Sequence, residues 1–211
     1  MKKVAISIQA IENFIPEIIE NIKGYDYIHV DIMDGKFVNN KYNNLNVLQM
    51  LKEKYEIPII AHLMVTNPIN YVSRIIDNID IFLFHFEIKY DKNKLIKTIR
   101  ANNKKVGIAI NPETEIFEII QYLDKIDLVL VMSVNPGWSG QKFIPKILTK
   151  VENLAEYKKK YNFLIDVDGG INLINAKQLL NADILTSSST ILKAKDPNKI
   201  IKLLKESFDY E

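Results

Sequence analysis

Two kinds of segment alternate along the whole chain. The first is a short apolar run with β-branched residues, which is typical of strands buried on both faces. The second is a longer polar stretch with apolar residues three or four positions apart, which indicates amphipathic helices. The helical pattern is clear at Ile15, Ile18, Ile19 and Ile22, at Leu95, Ile96 and Ile99, and at Ile116, Ile119, Ile120 and Leu123. Eight strands are predicted, at residues 4–8, 27–32, 57–64, 79–86, 105–110, 127–134, 162–167 and 182–186.

This alternation predicts an α/β protein with a parallel sheet, because parallel neighbours need a crossover, usually a helix, between them. No linker or low-complexity tract interrupts the series, so residues 1–211 are expected to form a single domain. Eight strand–helix units fit a closed (β/α)8 barrel, the TIM barrel, at the small end of its size range. An open doubly wound sheet is the alternative.

Composition narrows the function classes. The 28 basic and 26 acidic residues nearly balance, and only two of the basic residues are arginines, so nucleic acid is not an expected partner. The absence of cysteine excludes disulfides, thiolate metal sites and cysteine nucleophiles. No segment has the pattern of a targeting peptide or a membrane span. We therefore expect a cytoplasmic protein without membrane contact.

All three histidines lie near the ends of predicted strands, where a barrel carries its reactive groups. They are His29, His62 and His85. A single buried histidine is more often a hydrogen-bonded core residue than a ligand, but three at strand ends favour function. His85 is followed closely by Glu87, and we expect it to support the site or the fold rather than to react.

Carboxylates accompany two of these strand ends. Because side chains alternate along a strand, His29 and Asp31 share one face, and Asp168 ends the seventh strand with the same parity as Asp166. Two imidazoles and two carboxylates, from His29, Asp31, His62 and Asp168, are a plausible ligand set for one divalent metal ion. Zinc, iron, manganese and cobalt all accept such a set, so the ligands do not name the metal.

The remaining candidates are three methionines and three loops. Met33, Met64 and Met132 each end a different strand and could form an apolar floor around a reacting carbon. Loops rich in glycine and serine follow strands six, seven and eight, where barrels commonly bind phosphate through backbone N–H groups. The loop residues in question are Gly137, Trp138, Ser139, Gly140, Gly169, Gly170, Ser188 and Ser189.

Six motifs in a fixed order cover the chain. They are HVDIMDGKFVNN (29–40), HLMVTNP (62–68), FHFE (84–87), VGIAINPET (106–114), VLVMSVNPGWSGQKFIPKI (129–147) and VDGGIN (167–172), and Ser7 with Ile8 precedes them. In these motifs the chain resembles the ribulose-5-phosphate 3-epimerase family. The resemblance implies a (β/α)8 barrel that interconverts D-ribulose 5-phosphate and D-xylulose 5-phosphate in carbohydrate metabolism. It also implies a phosphosugar substrate and a homo-oligomer, although nothing in the sequence fixes the number of subunits.

The resemblance also implies a role for each candidate residue. Asp31 and Asp168 would be the two acid/base residues, and His29, Asp31, His62 and Asp168 would hold the metal ion. The implied substrate contacts are Ser7, His62, Met33, Met64, Met132, Gly137, Trp138, Ser139, Gly140, Gly169, Gly170, Ser188 and Ser189.

Four features depart from the family pattern, one of them the junction Asn181-Ala182 before the last strand, which is one residue shorter than the family's usual Ala-Gly-Ala. Ser139 and Ser188 stand where family members usually have glycine, and Asn39 replaces a common proline. The two serines lie on the implied phosphate side, where a side chain is tolerated if φ stays negative.

Other functions remain open. Allulose 6-phosphate 3-epimerases share these motifs, and a non-catalytic phosphosugar-binding barrel is a further alternative. Phosphosugar decarboxylases and hexulose-phosphate synthases are set aside, since their Asp-x-Lys-x-x-Asp run has no counterpart in Asp31-Ile32-Met33-Asp34.

Overall fold

Eight parallel strands close into a barrel in the computed structural model, which describes residues 1–138 and 140–207. The strands are β1 (Lys3–Gln9), β2 (Tyr27–Asp34), β3 (Lys41–Tyr42), β4 (Ile59–Met64), β5 (Ile81–His85), β6 (Lys105–Ile110), β7 (Leu128–Met132), β8 (Leu164–Asp168) and β9 (Ile184–Ser187). Strand β1 pairs with both β2 and β9, which closes the ring. The predicted (β/α)8 barrel is therefore confirmed and the open sheet is excluded. Strand β3 lies outside the ring, antiparallel to β2, and was not predicted.

Helices connect the strands on the outside of the ring. The α-helices are α1 (Asn46–Lys54), α2 (Ile69–Ile75), α3 (Lys92–Ala101), α4 (Ile116–Ile119), α5 (Ile147–Tyr157), α6 (Ser189–Leu192) and α7 (Pro197–Lys205). Short 3-10 turns follow α2 and α4 and occur at Pro16–Ile19 and Asn175–Gln178. Within the described residues, no helix combines the length and the hydropathy needed to cross a membrane.

The helix predicted from Ile15 to Ile22 is wrong in length. The structure has only the 3-10 turn Pro16–Ile19 in this segment. The Pro16 carbonyl accepts a hydrogen bond from the Tyr55 hydroxyl at 2.8 Å. The Glu20 amide donates to Glu17, three residues back, where an α-helix would use the residue four back. The predicted helix at 116–123 likewise consists of α4 and a 3-10 turn, whereas Leu95, Ile96 and Ile99 are the buried side of the regular helix α3.

Side chains of the strands alternate between two apolar layers. Ile28, Val30 and Ile32 of β2 belong to the large cluster that includes the helices. Tyr27 belongs to the second cluster, on the other face of the sheet, where its neighbours come from β1, β4 to β7 and β9. With period-two alternation, the chemically active side chains of β2 share the face of Tyr27 and point into the barrel.

Four aspartates tie the strands together in pairs at the N-terminal end of the barrel. Each precedes or begins a strand, and its carboxylate accepts the backbone N–H of a residue at the start of the neighbouring strand. Each aspartate amide also donates to the carbonyl of that same residue. We call these four units aspartate clasps, and they are Asp26 with Val4, Asp80 with Ile59, Asp127 with Val106, and Asp183 with Ile165, at carboxylate–amide distances of 2.8, 2.8, 2.8 and 2.7 Å.

A cation accompanies every aspartate clasp. It comes from the end of the helix that packs before the first strand of the pair. The ion pairs are Lys205–Asp26 at 2.8 Å, Lys52–Asp80 at 3.2 Å, Arg100–Asp127 at 2.8 Å and Lys158–Asp183 at 2.6 Å. The N-terminal end of the barrel is thus a repeated stabilising arrangement, which leaves the opposite end for chemistry.

Candidate active site

Four side chains from three strands meet at the C-terminal end of the barrel. His29 Nε2 lies 3.2 Å from Asp31 Oδ1 and 3.2 Å from His62 Nδ1. His62 Nδ1 lies 3.0 Å from Asp31 Oδ1, and Asp168 Oδ2 lies 3.9 Å from His29 Nε2. One ligand atom from each of the four residues lies within 4.8 Å of the others. These are the residues that the sequence singles out as metal ligands.

Strand register brings these side chains to one level. Asp31 on β2 is paired with His62 on β4, and Ser7 on β1 is paired with His29. The Ser7 hydroxyl donates to Asp31 Oδ2 at 3.1 Å, so the two oxygens of this carboxylate have different partners. One oxygen faces the histidines and the other faces Ser7.

The buried surroundings drive the pKa values of these groups apart. Burial lowers the pKa of His29, but the hydrogen bond with Asp31 and the nearby negative charges outweigh burial and raise the pKa to about 9. Burial lowers the pKa of His62 to about 3. For Asp31 the effect of burial is outweighed by hydrogen bonds with both histidines, which hold its pKa below the ordinary value. Burial raises the pKa of Asp168 to about 7. The pKa values of the two carboxyl groups are therefore displaced in opposite directions, and so are those of the two imidazoles.

The spacing of the four ligand atoms fits a single metal ion. Nitrogen and oxygen ligands at about 2.0–2.2 Å from a tetrahedral ion are separated by roughly 3.3–3.6 Å. Four of the six separations, from 3.0 to 3.9 Å, bracket that range, and all four ligand atoms lie within 4.8 Å of one another. Two imidazole nitrogens and two carboxylate oxygens are ligands that zinc, iron, manganese and cobalt accept. The cluster could therefore bind a divalent metal ion.

A cavity opens directly above the cluster. Asp31, Asp168 and Ser7 line it together with the three methionines Met33, Met64 and Met132. The methionines are almost completely buried, and Met132 is paired with Asp168 across the β7–β8 ladder. His29 and His62 are fully buried beneath this floor and do not line the cavity. The cavity thus combines two carboxyl groups with an apolar base.

The far side of the cavity is built from the loops after β7, β8 and β9. The predicted residues found there are Gly137, Trp138, Gly140, Gly169, Gly170, Ser188 and Ser189. Gly169 and Gly170 have φ values of +119° and +62°, in a region that favours glycine. A Cβ atom on Gly170 would lie 2.7 Å from the Gln141 carbonyl oxygen. Glycine at this position therefore allows two loops to approach each other at the cavity.

Three of the four departures from the family pattern, Ser188, Asn39 and Ser139, have different outcomes. Ser188 has a φ of −109°, so the side chain in place of glycine causes no left-handed strain. Asn39 is followed by Asn40, whose side-chain amide donates to the Gly137 carbonyl at 2.7 Å and joins the β2 loop to the β7 loop. Ser139 lies outside the described residues.

Several polar residues of the cavity were not singled out from the sequence. They are Gln9, Asn135, Gln141, Asn172, Thr186, Ser187 and Thr190. Gln9 is two residues after Ser7 and is paired with Asp31, so the alternation along β1 could have identified it. Thr186 donates to the buried carboxyl of Asp166 at 2.9 Å, below Asp168.

Comparisons with known proteins agree on a family. A model of the ribulose-phosphate 3 epimerase family matches residues 3–192. The ribulose-phosphate 3-epimerase, cytoplasmic isoform, of Oryza sativa subsp. japonica is 37% identical over 194 residues, which are 88% of this chain and 84% of that protein. The ribulose-phosphate 3-epimerase of Treponema pallidum is 38% identical over 171 residues, 79% of this chain and 78% of the relative. That of Bacillus subtilis is 34% identical over 190 residues, 87% and 88% of the two chains.

Solved structures with lower identity show the same fold. A 3-hexulose-6-phosphate synthase from Salmonella typhimurium superposes with a TM-score of 0.70 at 20% identity, covering 97% of each chain. A phosphoribosyl anthranilate isomerase from Thermotoga maritima gives a TM-score of 0.64 at 15% identity and covers 98% of both chains. These two comparisons support the barrel architecture and carry no argument about the reaction.

Proposed function

Because the chain belongs to the ribulose-phosphate 3-epimerase family, we propose that it interconverts D-ribulose 5-phosphate and D-xylulose 5-phosphate and that Asp31 and Asp168 move the proton at C3. The observation that carries this assignment is a pair of carboxyl groups on separate strands, facing one cavity, with pKa values displaced in opposite directions. The enzyme is accordingly an isomerase that acts on a phosphosugar.

Epimerisation next to a carbonyl requires two proton-transferring groups. The proton leaves one face of the carbon and another proton is added to the opposite face of the planar enediolate, which a single fixed base cannot reach from both sides. Asp31 on β2 and Asp168 on β8 approach from different parts of the ring. With its pKa below the ordinary value Asp31 is ionised and can accept a proton, while the raised pKa of Asp168 lets it hold the proton that is donated, and the roles exchange when the reaction runs in reverse.

The cluster beneath the cavity supports this chemistry with charge. A divalent ion held by His29, Asp31, His62 and Asp168 would stabilise the negative charge that develops on substrate oxygens as the proton leaves. The ion itself, whether zinc, iron, manganese or cobalt, is left open by this ligand set. Ser7 donates to Asp31 Oδ2 and so holds that carboxylate in a defined orientation.

The two sides of the cavity would contact different parts of the substrate, the reacting carbon on one side and the phosphate on the other. Met33, Met64 and Met132 form an apolar floor that excludes water from the reacting carbon. The glycine and serine loops after β7, β8 and β9 offer backbone N–H groups to the phosphate, which agrees with the near absence of arginine. Trp138, half exposed at the rim, is placed to contact the sugar or its phosphate.

Three further expectations stay predictions. The extent of the domain, residues 1–211, is supported by the family match over residues 3–192. A cytoplasmic location is supported by the name of the rice relative. A homo-oligomer is expected from the family resemblance, with no number of subunits assigned.

Two assays test the proposed function. A coupled assay compares ribulose 5-phosphate with allulose 6-phosphate, and we expect turnover of the pentose phosphate to dominate. Turnover of allulose 6-phosphate alone would assign the chain to that related activity, and inactivity on both with metal bound would leave a binding protein.

The second assay uses Asp31→Asn and Asp168→Asn. Each should lower kcat by about 10²- to 10⁴-fold, the range expected for lost acid–base catalysis. Glu113→Gln, which changes an exposed carboxylate that does not line the cavity, is the control. Circular dichroism verifies that all three variants keep the barrel. Activity close to wild type in either asparagine variant would exclude the two-base scheme.

A further inference from the structure

A line of buried polar side chains extends behind His62, away from the cavity. His62 Nε2 lies 2.9 Å from His85 Nε2, and the two ring planes are within 24° of parallel with centroids 5.0 Å apart, so the rings meet edge to edge. On its other side, His85 Nδ1 lies 3.2 Å from Glu87 Oε2. Both histidines are fully buried. A metal ligand, a second imidazole and a carboxylate are therefore connected in series.

The carboxylate at the end of this line is held as a hydrogen-bond acceptor. Glu87 Oε1 accepts the backbone N–H of Asn111 at 2.8 Å and the hydroxyl of Thr114. A backbone N–H cannot accept, so Oε1 must stay an acceptor. Although burial raises the pKa of Glu87, its hydrogen bonds, the one with His85 foremost, bring the pKa below the ordinary value. Oε2 is therefore also an acceptor, and His85 Nδ1 carries the proton that it receives.

That proton determines the state of every nitrogen further along the line. A neutral imidazole has one protonated ring nitrogen and one lone pair, so a proton on Nδ1 of a neutral His85 assigns the nitrogens that follow. With Nδ1 protonated, His85 Nε2 is a lone pair and can only accept. His62 Nε2 must then donate to it, which leaves His62 Nδ1 as a lone pair. This nitrogen is the one that faces Asp31 Oδ1 and His29 Nε2.

The other histidine of the cluster has no comparable support. His29 Nδ1 is buried and has no hydrogen-bond partner within residues 1–138 and 140–207. The protein therefore fixes the tautomer of one imidazole ligand through a dedicated chain and not that of the other. Orientation of a ligating histidine by a hydrogen bond on its second nitrogen is a general way of tuning metal sites.

We propose that Glu87 and His85 are positioning residues, which hold His62 in its Nε2–H tautomer and so present the Nδ1 lone pair to the metal ion. This inference rests on the metal site of the proposed function. Glu87 contacts neither the substrate cavity nor any of the four ligands, and it acts through His85.

Two substitutions of Glu87 distinguish this role from simple packing. In Glu87→Gln the amide oxygen must face the Asn111 N–H, because a backbone donor cannot reverse. The amide NH2 group then faces His85 Nδ1 and forces it to accept, which reverses the tautomers of both histidines and puts a proton on His62 Nδ1. In Glu87→Ala the vacated space admits water, which can either accept or donate, so the native tautomer remains accessible. A packing role predicts the opposite order, since glutamine is the isosteric replacement.

Metal affinity and tautomer state are the measurements. Co²⁺ titration followed by its visible spectrum, and competition with Zn²⁺, should give an affinity for Glu87→Gln about 10- to 100-fold below wild type, as for other lost partners of ligating histidines. Glu87→Ala should lie between the two. Long-range ¹H–¹⁵N NMR of the metal-free protein should show His85 protonated at Nδ1 in the wild type and at Nε2 in Glu87→Gln. Glu113→Gln is the matched control for loss of one carboxylate charge and should bind as the wild type does.

The outcomes separate this inference from the proposed metal site. If the wild type binds neither ion, or if His62→Ala binds as tightly as the wild type, the metal site itself is wrong. If the wild type binds and His62→Ala does not, the site stands. The positioning role is then overturned by a Glu87→Gln affinity equal to wild type or above that of Glu87→Ala, or by a wild-type His85 protonated at Nε2.

Discussion

Ser7 shows how one hydroxyl can matter to a buried carboxylate. It is almost completely buried at the end of β1 and donates to Asp31 Oδ2 at 3.1 Å. A hydrogen bond to a charged group contributes about 1.5–3 kcal/mol, so Ser7→Ala should lower kcat/KM about 10- to 100-fold. Steady-state kinetics provide the measurement, with Ser7→Thr retaining the hydroxyl and most of the activity. Equal loss in both variants would mean that the cavity tolerates no change of volume there and that the hydrogen bond is not the cause.

Gly170 is required by both backbone conformation and contact. Its φ is +62°, and a Cβ atom would meet the Gln141 carbonyl and the Phe143 amide of the β7 loop. Gly24 also has a positive φ, but a Cβ there would have only ordinary contact with Ile201. Each alanine variant should lose about 1–2 kcal/mol of stability in urea denaturation, because both place a side chain in the left-handed region.

Only Gly170→Ala should also raise KM, because it displaces the loop after β8 from the loop after β7 at the proposed phosphate site. Gly24→Ala serves as the control for strain without displacement. An unchanged KM in Gly170→Ala would show that these loops do not determine substrate binding.

For single residues, the sequence predicts which side chains are reactive better than it predicts their hydrogen-bond partners. Alternation along β2 places His29 and Asp31 on one face, and the end of β8 supplies Asp168. Alternation does not show that Glu87 reaches Asn111 and Thr114, since those partners lie 24 and 27 positions away and depend on the closure of β5 against β6.

Among the elements, the aspartate clasps make a separable contribution to stability. Asp127 accepts the Val106 amide at the start of β6 and pairs with Arg100. In Asp127→Ala this amide loses its acceptor, and the free energy of unfolding should fall by about 1–3 kcal/mol. Asp124→Ala removes an exposed carboxylate three positions earlier and should change stability by no more than about 0.5 kcal/mol.

Chemical denaturation measures both variants, and kcat and KM should stay at wild-type values because the clasps lie at the end of the barrel opposite the cavity. Loss of activity in folded Asp127→Ala would contradict this separation of the two ends.

The strands were more predictable than the helices for a physical reason. A parallel strand that is buried on both faces consists of a run of apolar residues, and all eight runs predicted from the sequence correspond to strands of the barrel. Helix boundaries depend on where carbonyl groups find other partners, as the Pro16 carbonyl does with Tyr55. Strand β3 has two residues, Lys41 and Tyr42, and is too short to carry any apolar pattern.

At the scale of the whole molecule, a metal ion bound by the four-residue cluster would link strands across the ring. Its ligands come from β2, β4 and β8, so a bound ion stabilises the closed barrel over the unfolded chain. With free metal at about 100 times Kd the gain is roughly 2.7 kcal/mol, and complete removal by a chelator should lower Tm by about 5–10 °C. Thermal unfolding with and without chelator measures this shift. His62→Ala should show little or none, and an equal shift in that variant would place the ion elsewhere.

The four aspartate clasps divide the ring into two-strand units, each closed over 18 to 22 residues of chain. No unit holds a complete site: the first carries Ser7, His29 and Asp31, the second His62 with His85, and the last Asp168. During synthesis each unit could form local contacts as it emerges, yet a metal ion would find its full ligand set only after Asp168 joins the ring. Metal binding would therefore require the last unit, and a chain in which that unit is unfolded would lack Asp168 at the cluster even where the earlier units had formed.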